Sequence, residues 1–283
     1  MKKLLALLIG SCVCVIGVAQ DYLHVMTFNI RYDNPGDSLN AWPHRKDLVA
    51  SQILFHEPAI VGVQEALFHQ ITDLQHRLPG YQYIGGGRDD GKEKGEFSAI
   101  FFDSSRLRLN GSATFWLSEK PEVPGTKGWD AALPRVVTWG RFTTKDAGKE
   151  FYAFNTHFDH IGKVARRESA ALLIKKVAEI AKGKPVVVTG DFNAQPHDEP
   201  IVRITSTNNI NHLTDSKEVS VTPHYGPTGT FTGFATKEKL DEPIDYIFIR
   251  NGVKVLQHAT LSQTWKGRFS SDHFPIFARV VIP

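Results

Sequence analysis

Residues that could carry out phosphate chemistry follow a predicted strand in the second half of the chain. The run Val186–Thr189 is β-branched throughout, which predicts a buried strand that can turn sharply at Gly190. Asp191 and Asn193 come directly after this glycine. Because they are two residues apart, an extended chain points both side chains the same way. We expect both to face whatever lies beyond the end of the strand.

Several other apolar runs have a polar side chain at one end. Asn29 lies near the end of a predicted central strand, Tyr22–Ile30, and Glu65 follows a second strand, Ala59–Val63. Each such residue, taken alone, is also compatible with a satisfied core group or a helix cap. In an open sheet, however, residues at the same ends of several strands converge on one crevice. The residues at such positions are Asn29, Glu65, His157, Asp191, Asn193, Asp245, Asp272 and His273.

This set contains the parts of a metal-assisted phosphoester hydrolase. Carboxylates at strand ends are the hard oxygen donors that Mg²⁺ prefers. If the strand ends coincide, Glu65 and Asp272, with Asn29 nearby, would hold one Mg²⁺ or Mn²⁺ against a phosphate oxygen. These three residues are the predicted metal ligands.

The other strand-end residues would act as catalytic groups. Asp245 shares an apolar strand face with isoleucines and needs a strong partner there. It would orient His273 and raise the basicity of the imidazole. Asp191 would position or deprotonate the attacking water, and Asn193 and His157 would donate to the phosphoryl oxygens.

The remaining pattern predicts the elements that position these side chains. Helices are expected from Pro43 to about His56, directly after Glu65, and along the run that contains Arg166. The segment Tyr81–Phe142 is predicted as a succession of antiparallel strands, and Ala194–Tyr225 as polar, irregular chain.

Two residues outside the strand ends are candidate substrate contacts. Arg166 shares a helix face with apolar residues, so an acid or a bound phosphate should meet its charge. Trp129 lies in the long loop Lys120–Leu133, which is long enough to form a pocket wall. A plain packing role for Trp129 is an equal alternative.

The first residues of the chain have the pattern of an export signal. Two lysines precede an apolar run that ends with the small-residue site Gly17-Val18-Ala19, as in a secretory signal peptide. We therefore expect a signal peptide over residues 1–19 and a catalytic domain over residues 20–283, in the periplasm or outside the cell. The alternative is lipidation at Cys12, although the chain stays apolar to Val18.

Composition describes an ordinary globular protein, with 41% hydrophobic and 22% charged residues. Cleavage after Ala19 removes both cysteines and two lysines, which leaves 31 basic against 30 acidic residues. A net charge near zero argues mildly against long nucleic acid as substrate, because proteins that bind long nucleic acid usually have a basic groove.

The sequence shows no evident obligate protein partner, and a monomer is expected.

Six motifs together resemble the endonuclease/exonuclease/phosphatase superfamily, which has the DNase I-like fold. The resemblance covers about residues 22–280, with the motifs in the family's order. It implies a four-layer α-β-β-α sandwich of two mixed, largely antiparallel sheets flanked by helices, a divalent metal and phosphoester hydrolysis. The motifs are Thr27–Arg31, Gln64-Glu65, Asn155–His160, Gly190–Asn193, Ile244–Ile247 and Ser271–His273.

Further sequence motifs indicate which branch of the superfamily this chain resembles. Phe231-Thr232 followed by Ile244–Phe248 looks closer to the deadenylase and nocturnin branch, and the nearest likeness is to secreted bacterial members. Phe231 is thereby a candidate substrate contact. Arg31 occupies the position at which apurinic endonucleases have an acidic residue. This difference disfavours an apurinic-endonuclease activity and suggests that Arg31 contacts an anion. The motif pattern of dinuclear metallophosphatases is absent from the sequence.

The sequence therefore predicts a phosphodiesterase or phosphatase that depends on Mg²⁺ or Mn²⁺. Its substrate could be a phosphorylated small molecule, a lipid head group or nucleic acid. The alternative is an extracellular nuclease that acts on RNA or DNA. A third hypothesis, a non-catalytic protein that binds a phosphate ligand, would require a missing catalytic residue.

Overall fold

The structure, a computed structural model, describes residues 22–235 and 242–283. The predicted signal peptide and the alternative lipidation site at Cys12 lie outside the described residues. Among the described helices, none has both the length and the apolar character needed to cross a membrane. The predicted cleavage after Ala19 therefore stays a prediction.

The first six-stranded sheet is built around a strand that is apolar on both faces, as predicted. In spatial order its strands are β11 (Lys254–Thr260), β12 (Ile276–Val281), β1 (Leu23–Asn29), β2 (Ile60–Ala66), β4 (Phe97–Asp103) and β3 (Tyr81–Ile84). The central strand β1 runs parallel to β2 and antiparallel to β12. All other neighbouring pairs in this sheet are antiparallel.

The second sheet also has six strands, of which one pair is parallel. In spatial order they are β5 (Leu107–Trp116), β6 (Val136–Thr144), β7 (Glu150–His157), β8 (Val186–Asp191), β10 (Asp245–Arg250) and β9 (Thr214–Asp215). The parallel pair is β7 and β8, and β10 runs antiparallel to β8.

Three apolar clusters show that helices cover the outer face of each sheet. In the first cluster, α1 (Trp42–His56) and α2 (Phe68–Arg77) pack against β1 and β2. In the second, α3 (Lys163–Ala181) and α4 (Glu199–Thr205) pack against β7 and β8. The third cluster fills the space between the two sheets. The predicted four-layer α-β-β-α sandwich is confirmed.

Two parts of the chain differ from the sequence prediction. The segment predicted as irregular, Ala194–Tyr225, contains the short helix α4 and the two-residue strand β9. The strand β11 was not predicted, because it is an edge strand with a β-bulge between Val255 and Gln257. The bulge breaks the alternation of buried and exposed residues on which a strand prediction rests.

Gly62 in β2 faces a buried polar cluster between the sheets. A Cβ there would collide with Thr189 Oγ1 and Asn155 Oδ1, which are hydrogen-bonded to each other at 3.0 Å. We expect Gly62→Ala to lower the free energy of unfolding by about 1–3 kcal/mol. For a protein of this size each kcal/mol shifts the melting temperature by about 2–4 °C. Gly111→Ala in β5, where a Cβ meets nothing within 4 Å, is the control; equal melting temperatures would contradict the argument.

His258 in β11 makes folding stability depend on pH. Burial, followed by the charges of His224 and Lys217, lowers the pKa of His258 to about 3. The unfolded chain binds a proton at His258 below about pH 6.5, whereas the folded protein does not until about pH 3. The contribution of neutral His258 to the free energy of unfolding is therefore complete above pH 6.5. It decreases as the pH falls, by about 2 kcal/mol at pH 5. Urea unfolding should show that the free energy of unfolding falls less between pH 7 and pH 5 in His258→Gln than in the wild-type chain. An equal fall in both would exclude His258 as the cause.

Candidate active site

The polar strand ends predicted from the sequence meet at one edge of the sandwich. The strands β1 and β2 end there, and so do β7 and β8, because each pair is parallel. The strands β10 and β12 begin there, because each is antiparallel to a strand that ends there. Asn29 Nδ2 from the first sheet donates to Asp191 Oδ2 from the second at 2.9 Å. This hydrogen bond joins the polar ends of the two sheets.

Asp245 and His273 form a buried hydrogen-bonded pair, as predicted. The distance from His273 Nδ1 to Asp245 Oδ2 is 2.9 Å, and neither side chain is more than 5% exposed. Burial alone would lower the pKa of His273, but the carboxylates of Asp245 and Asp191 raise this pKa well above its ordinary value. The ring is therefore held as an imidazolium, with Nε2 at 3.8 Å from Asp191 Oδ2.

Asp191 is the carboxylate that the other site residues surround. Its Oδ2 also lies 3.5 Å from His157 Nε2, and its Oδ1 accepts a hydrogen bond from the Asn193 backbone at 2.9 Å. Burial, followed by the negative charge of Asp245, raises the pKa of Asp191 to about 7. A carboxyl group whose pKa is close to the working pH is suited to act as a general base.

The carboxylate of Glu65 lies beside that of Asp191. Asn29 Nδ2 donates to Glu65 Oε1 at 3.0 Å as well as to Asp191. Ligand atoms of Glu65, Asp191 and His273 all lie within 4.8 Å of one another. Because the imidazolium of His273 cannot bind a cation, the carboxylate oxygens are the donors. Hard oxygen donors fit Mg²⁺ or Mn²⁺.

The orientation of the Asn29 amide bears on its predicted role as a metal ligand. Its Oδ1 accepts a hydrogen bond from the Arg31 backbone at 3.0 Å, which distinguishes the oxygen from the nitrogen. The nitrogen therefore faces the two carboxylates. In this orientation Asn29 positions Glu65 and Asp191, and a contact with a metal would need its oxygen to be released from Arg31.

The two acids predicted to bind metal, Glu65 and Asp272, flank the guanidinium group of Arg31. Arg31 Nη1 is 3.9 Å from Glu65 Oε2, and Arg31 Nε is 3.8 Å from Asp272 Oδ2. Asp37 holds the same guanidinium with hydrogen bonds of 3.0 and 3.2 Å. Three carboxylates thus surround one positive charge, so this part of the site keeps an excess of negative charge that favours a divalent cation.

Several site residues have backbone conformations that are uncommon for residues other than glycine. The φ angles are 58° at Arg31, 64° at Glu65 and 47° at Asn193. Left-handed conformations cost energy in residues with a side chain, and they cluster at functional sites. In β2, the irregular pairing with β4 between Val63 and Ala66 includes Glu65. The bulge turns this carboxylate into the site.

His157 and Asn193 lie side by side in the site. Asn193 Nδ2 donates to the Phe158 carbonyl and to His157 Nε2, both at 3.0 Å. Burial, followed by the charge of Arg135, lowers the pKa of His157 well below its ordinary value, so the ring is neutral. Because Nε2 accepts from Asn193, we assign the ring proton to Nδ1, which is buried and has no hydrogen-bond partner among the described residues. His157 can therefore donate to a ligand. The structure differs from the prediction for Asn193, which was also expected to donate to the phosphoryl oxygens, because His157 and the Phe158 carbonyl engage both hydrogens of its amide.

A cavity of about 510 Å³ opens over these residues. The cavity is also lined by charged or titratable side chains that were not predicted as site residues, namely Glu96, Arg135 and His160. Glu96 and Arg135 directly precede β4 and β6, and His160 ends the run that begins at His157. Because β4 and β6 are antiparallel to their neighbouring strands, a strand that begins at this edge lies beside a strand that ends there.

The predicted substrate contacts are divided between the cavity and its surroundings. Arg31 and Phe231 line the cavity, and the Phe231 ring packs edge-on against His273 at 5.0 Å between centroids. Trp129 and Arg166 are not among the described lining residues. Arg166 is half-buried and donates to the Asp159 carbonyl at 2.9 Å. The charge of Arg166 is thus met by a backbone oxygen, where an acid or a phosphate was expected.

Comparison with known proteins identifies the family. A model described as "Endonuclease/Exonuclease/phosphatase family" matches residues 26–273. The chain belongs to this family. The match includes every strand-end residue of the candidate site, and members of the endonuclease/exonuclease/phosphatase family hydrolyse phosphoester bonds.

Solved structures of family members share the whole architecture. An endonuclease/exonuclease/phosphatase protein from Bacteroides vulgatus is 42% identical, with a TM-score of 0.89 over 93% of this chain and 100% of that one. A mannosyl-6-phosphatase from Bacteroides thetaiotaomicron is 40% identical, with a TM-score of 0.87 over 92% of this chain and 100% of that one. The human nocturnin catalytic domain, 22% identical with a TM-score of 0.71 over 93% of this chain and 98% of that one, shares the fold.

Sequence relatives include nucleases of the same family. Nocturnin from Rattus norvegicus is 26% identical over 254 residues, and the match covers 83% of this chain but 56% of the relative. A probable RNA exonuclease from Schizosaccharomyces pombe is 26% identical over 206 residues, which cover 64% of this chain and 38% of the relative. The chain thus spans about half of these relatives or less.

Proposed function

We propose that this chain is a divalent-metal-dependent hydrolase that releases phosphate from phosphomonoesters. The observation that carries the proposal is the buried array in which the His273 imidazolium lies between the carboxylates of Asp245 and Asp191, next to Glu65. The likeness to a mannosyl-6-phosphatase over nearly the whole chain supports a monoester as substrate.

Glu65 and Asp272 would hold the metal ion. Both oxygens of Asp191 already accept hydrogen bonds from Asn29 and Asn193, whereas Asp272 Oδ2 has only the more distant Arg31, at 3.8 Å. When bound, the ion supplies Lewis-acid stabilisation of the charge on a phosphoryl oxygen.

The described residues would perform the proton transfer and charge stabilisation. Asp191, with its pKa near 7, would orient the attacking water and accept its proton. The His273 imidazolium, fixed by Asp245, would donate through Nε2 to the phosphoryl group. His157 would donate through Nδ1, which has no other hydrogen-bond partner among the described residues. These donors are preorganised and buried, which is the arrangement that stabilises developing charge most strongly.

A substrate panel distinguishes this proposal from the nuclease alternative. The protein over residues 20–283 would be assayed with Mg²⁺ or with EDTA on a phosphomonoester, a phosphodiester, a phosphoinositide, RNA and DNA. We expect metal-dependent release of phosphate from the monoester. Preferential cleavage of RNA or DNA, with a rate that falls steeply with salt, would replace the proposal by a nuclease activity. Absence of turnover on every substrate would contradict both.

A further inference from the structure

The part of the cavity next to His157 contains a group of side chains that the proposed reaction does not use. Glu96, Arg135 and His160 all line the cavity. Glu96 Oε2 lies 4.0 Å from His157 Nδ1, so this group begins directly beside a proposed phosphate donor. A leaving group attached to a phosphate that His157 binds would therefore meet these side chains.

Glu96 is held rigidly in place. The buried Arg88 donates to its Oε2 at 2.6 Å, and backbone hydrogen bonds join Arg88 N to Glu96 O and Gly87 N to Lys92 O. The Trp116 indole donates to the Arg88 carbonyl at 2.6 Å. The second oxygen of Glu96 has no hydrogen bond from the described residues. A fixed carboxylate thus presents one acceptor oxygen at the cavity.

Arg135 is equally fixed and has one unused donor. Its Nε lies 3.4 Å from Asp159 Oδ2, and its Nη2 donates to His160 Nδ1 at 2.9 Å. Its Nη1 is buried without a hydrogen-bond partner among the described residues, and the side chain is 4% exposed. Asp159 in turn accepts from the backbone of Ile161 and Gly162, which fixes the acid that holds Arg135.

The mixture of acceptors and donors indicates the chemistry of the group that binds here. A polyanionic leaving group such as a nucleic acid chain fits poorly, because its phosphate oxygens cannot donate a hydrogen bond to the free oxygen of Glu96. An apolar leaving group would cover the second oxygen of Glu96 without giving it a hydrogen bond, which is costly. Hydroxyl groups both donate and accept, so a neutral leaving group with several hydroxyls satisfies the carboxylate and the guanidinium together.

We propose that Glu96, together with Arg135 and His160, binds the hydroxyl groups of a sugar leaving group and so selects sugar phosphates. This inference rests on the proposed phosphomonoesterase function. A buried site built to hydrogen-bond a hydroxyl discriminates strongly against substrates that lack it. Glu96 is therefore a specificity-determining residue, and the bond that breaks remains the P–O bond of the monoester.

Parallel kinetics on two kinds of monoester test the assignment. The wild-type chain and Glu96→Gln would be assayed on glucose 6-phosphate, mannose 6-phosphate and p-nitrophenyl phosphate, whose leaving group offers no sugar hydroxyls. We expect Glu96→Gln to lower kcat/KM for at least one sugar phosphate by about 10–100-fold, the effect of losing a hydrogen bond to a charged group. For p-nitrophenyl phosphate the change should be less than about threefold. Glu93→Gln, on an exposed acid of the same loop, is the matched control.

The possible results separate this inference from the proposed function. An equal loss on both kinds of substrate, or no loss on either, would overturn the role of Glu96 while the phosphatase activity stands. Wild-type turnover of p-nitrophenyl phosphate without turnover of either sugar phosphate would also overturn it. Absence of turnover on all three monoesters would instead refute the proposed function. A melting temperature of Glu96→Gln within a few degrees of wild type shows that the variant is folded.

Discussion

Replacing His273 with alanine is expected to lower kcat on a phosphomonoester by about 10²–10³-fold, the range for losing one preorganised donor to the charge that develops in the transition state. The reason is that the two carboxylates hold His273 as an imidazolium with Nε2 directed into the site. The variant loses this buried donor and leaves His157 as the other donor proposed for the phosphoryl group. Steady-state kinetics at saturating Mg²⁺ measure the effect, and His197→Ala, on a histidine that is 90% exposed, is the control.

Asp245→Asn tests whether His273 and Asp245 act as a unit. Asp245 holds the Nδ1 proton of His273 at 2.9 Å, so its loss should remove most of the contribution of the histidine. Because residues that act together are not additive, the double variant should be little slower than His273→Ala alone. If the loss of kcat in the double variant equals the product of the two single losses, the two residues do not act as a pair. If kcat is unchanged in His273→Ala, the histidine has no role in the mechanism.

Replacing Glu65 with glutamine is expected to abolish metal-dependent turnover, with a loss of at least about 10³-fold in kcat/KM. Loss of Lewis-acid stabilisation of several kcal/mol corresponds to this factor. The substitution keeps the size of the side chain and its contact with Asn29, so the fold should be retained. Mn²⁺ binding measured by calorimetry gives a readout that does not depend on activity, and we expect its affinity to fall with the loss of the carboxylate charge.

Glu179→Gln is the matched control for Glu65→Gln, because Glu179 lies on α3 with its side chain 51% exposed. Its Mn²⁺ affinity and kcat/KM should equal those of the wild-type chain. Retention of full Mn²⁺ affinity in Glu65→Gln would contradict the assignment of this carboxylate as a metal ligand. In that case Asp191 and Asp272 would remain as the acids that could bind the ion.

The strand-end residues could be predicted because each interrupts an apolar run. Asn29 and Asp191 are polar residues at the ends of strands that are otherwise buried on both faces, and the interruption is visible in one sequence. The pairing of Asp245 with His273 could also be predicted, because a carboxylate on an apolar face needs a partner. In the structure Asp245 contacts His273, and Asn29 contacts Asp191.

The other side of the cavity could not be predicted from local pattern. Glu96 and Arg135 come from different sheets, and they meet only because the sheets pack with these strand starts at the same edge. Their charges also look ordinary in sequence, since loops and strand starts often carry Glu and Arg. Arg166 illustrates the converse error. Arg166 lies on a helix, as its spacing predicts, but its charge is met by the backbone carbonyl of Asp159. The periodicity of a sequence cannot reveal a backbone partner of this kind.

The most direct test of the proposed chemistry is turnover of a phosphomonoester in water enriched in ¹⁸O, with Mg²⁺ present or removed by EDTA. The account predicts phosphate that carries one ¹⁸O from the solvent, formed only with the metal, because water attacks phosphorus and the P–O bond breaks. Mass spectrometry of the released phosphate and alcohol measures where the label is. Label in the alcohol, or equal turnover in EDTA, would contradict metal-assisted attack of water on phosphorus.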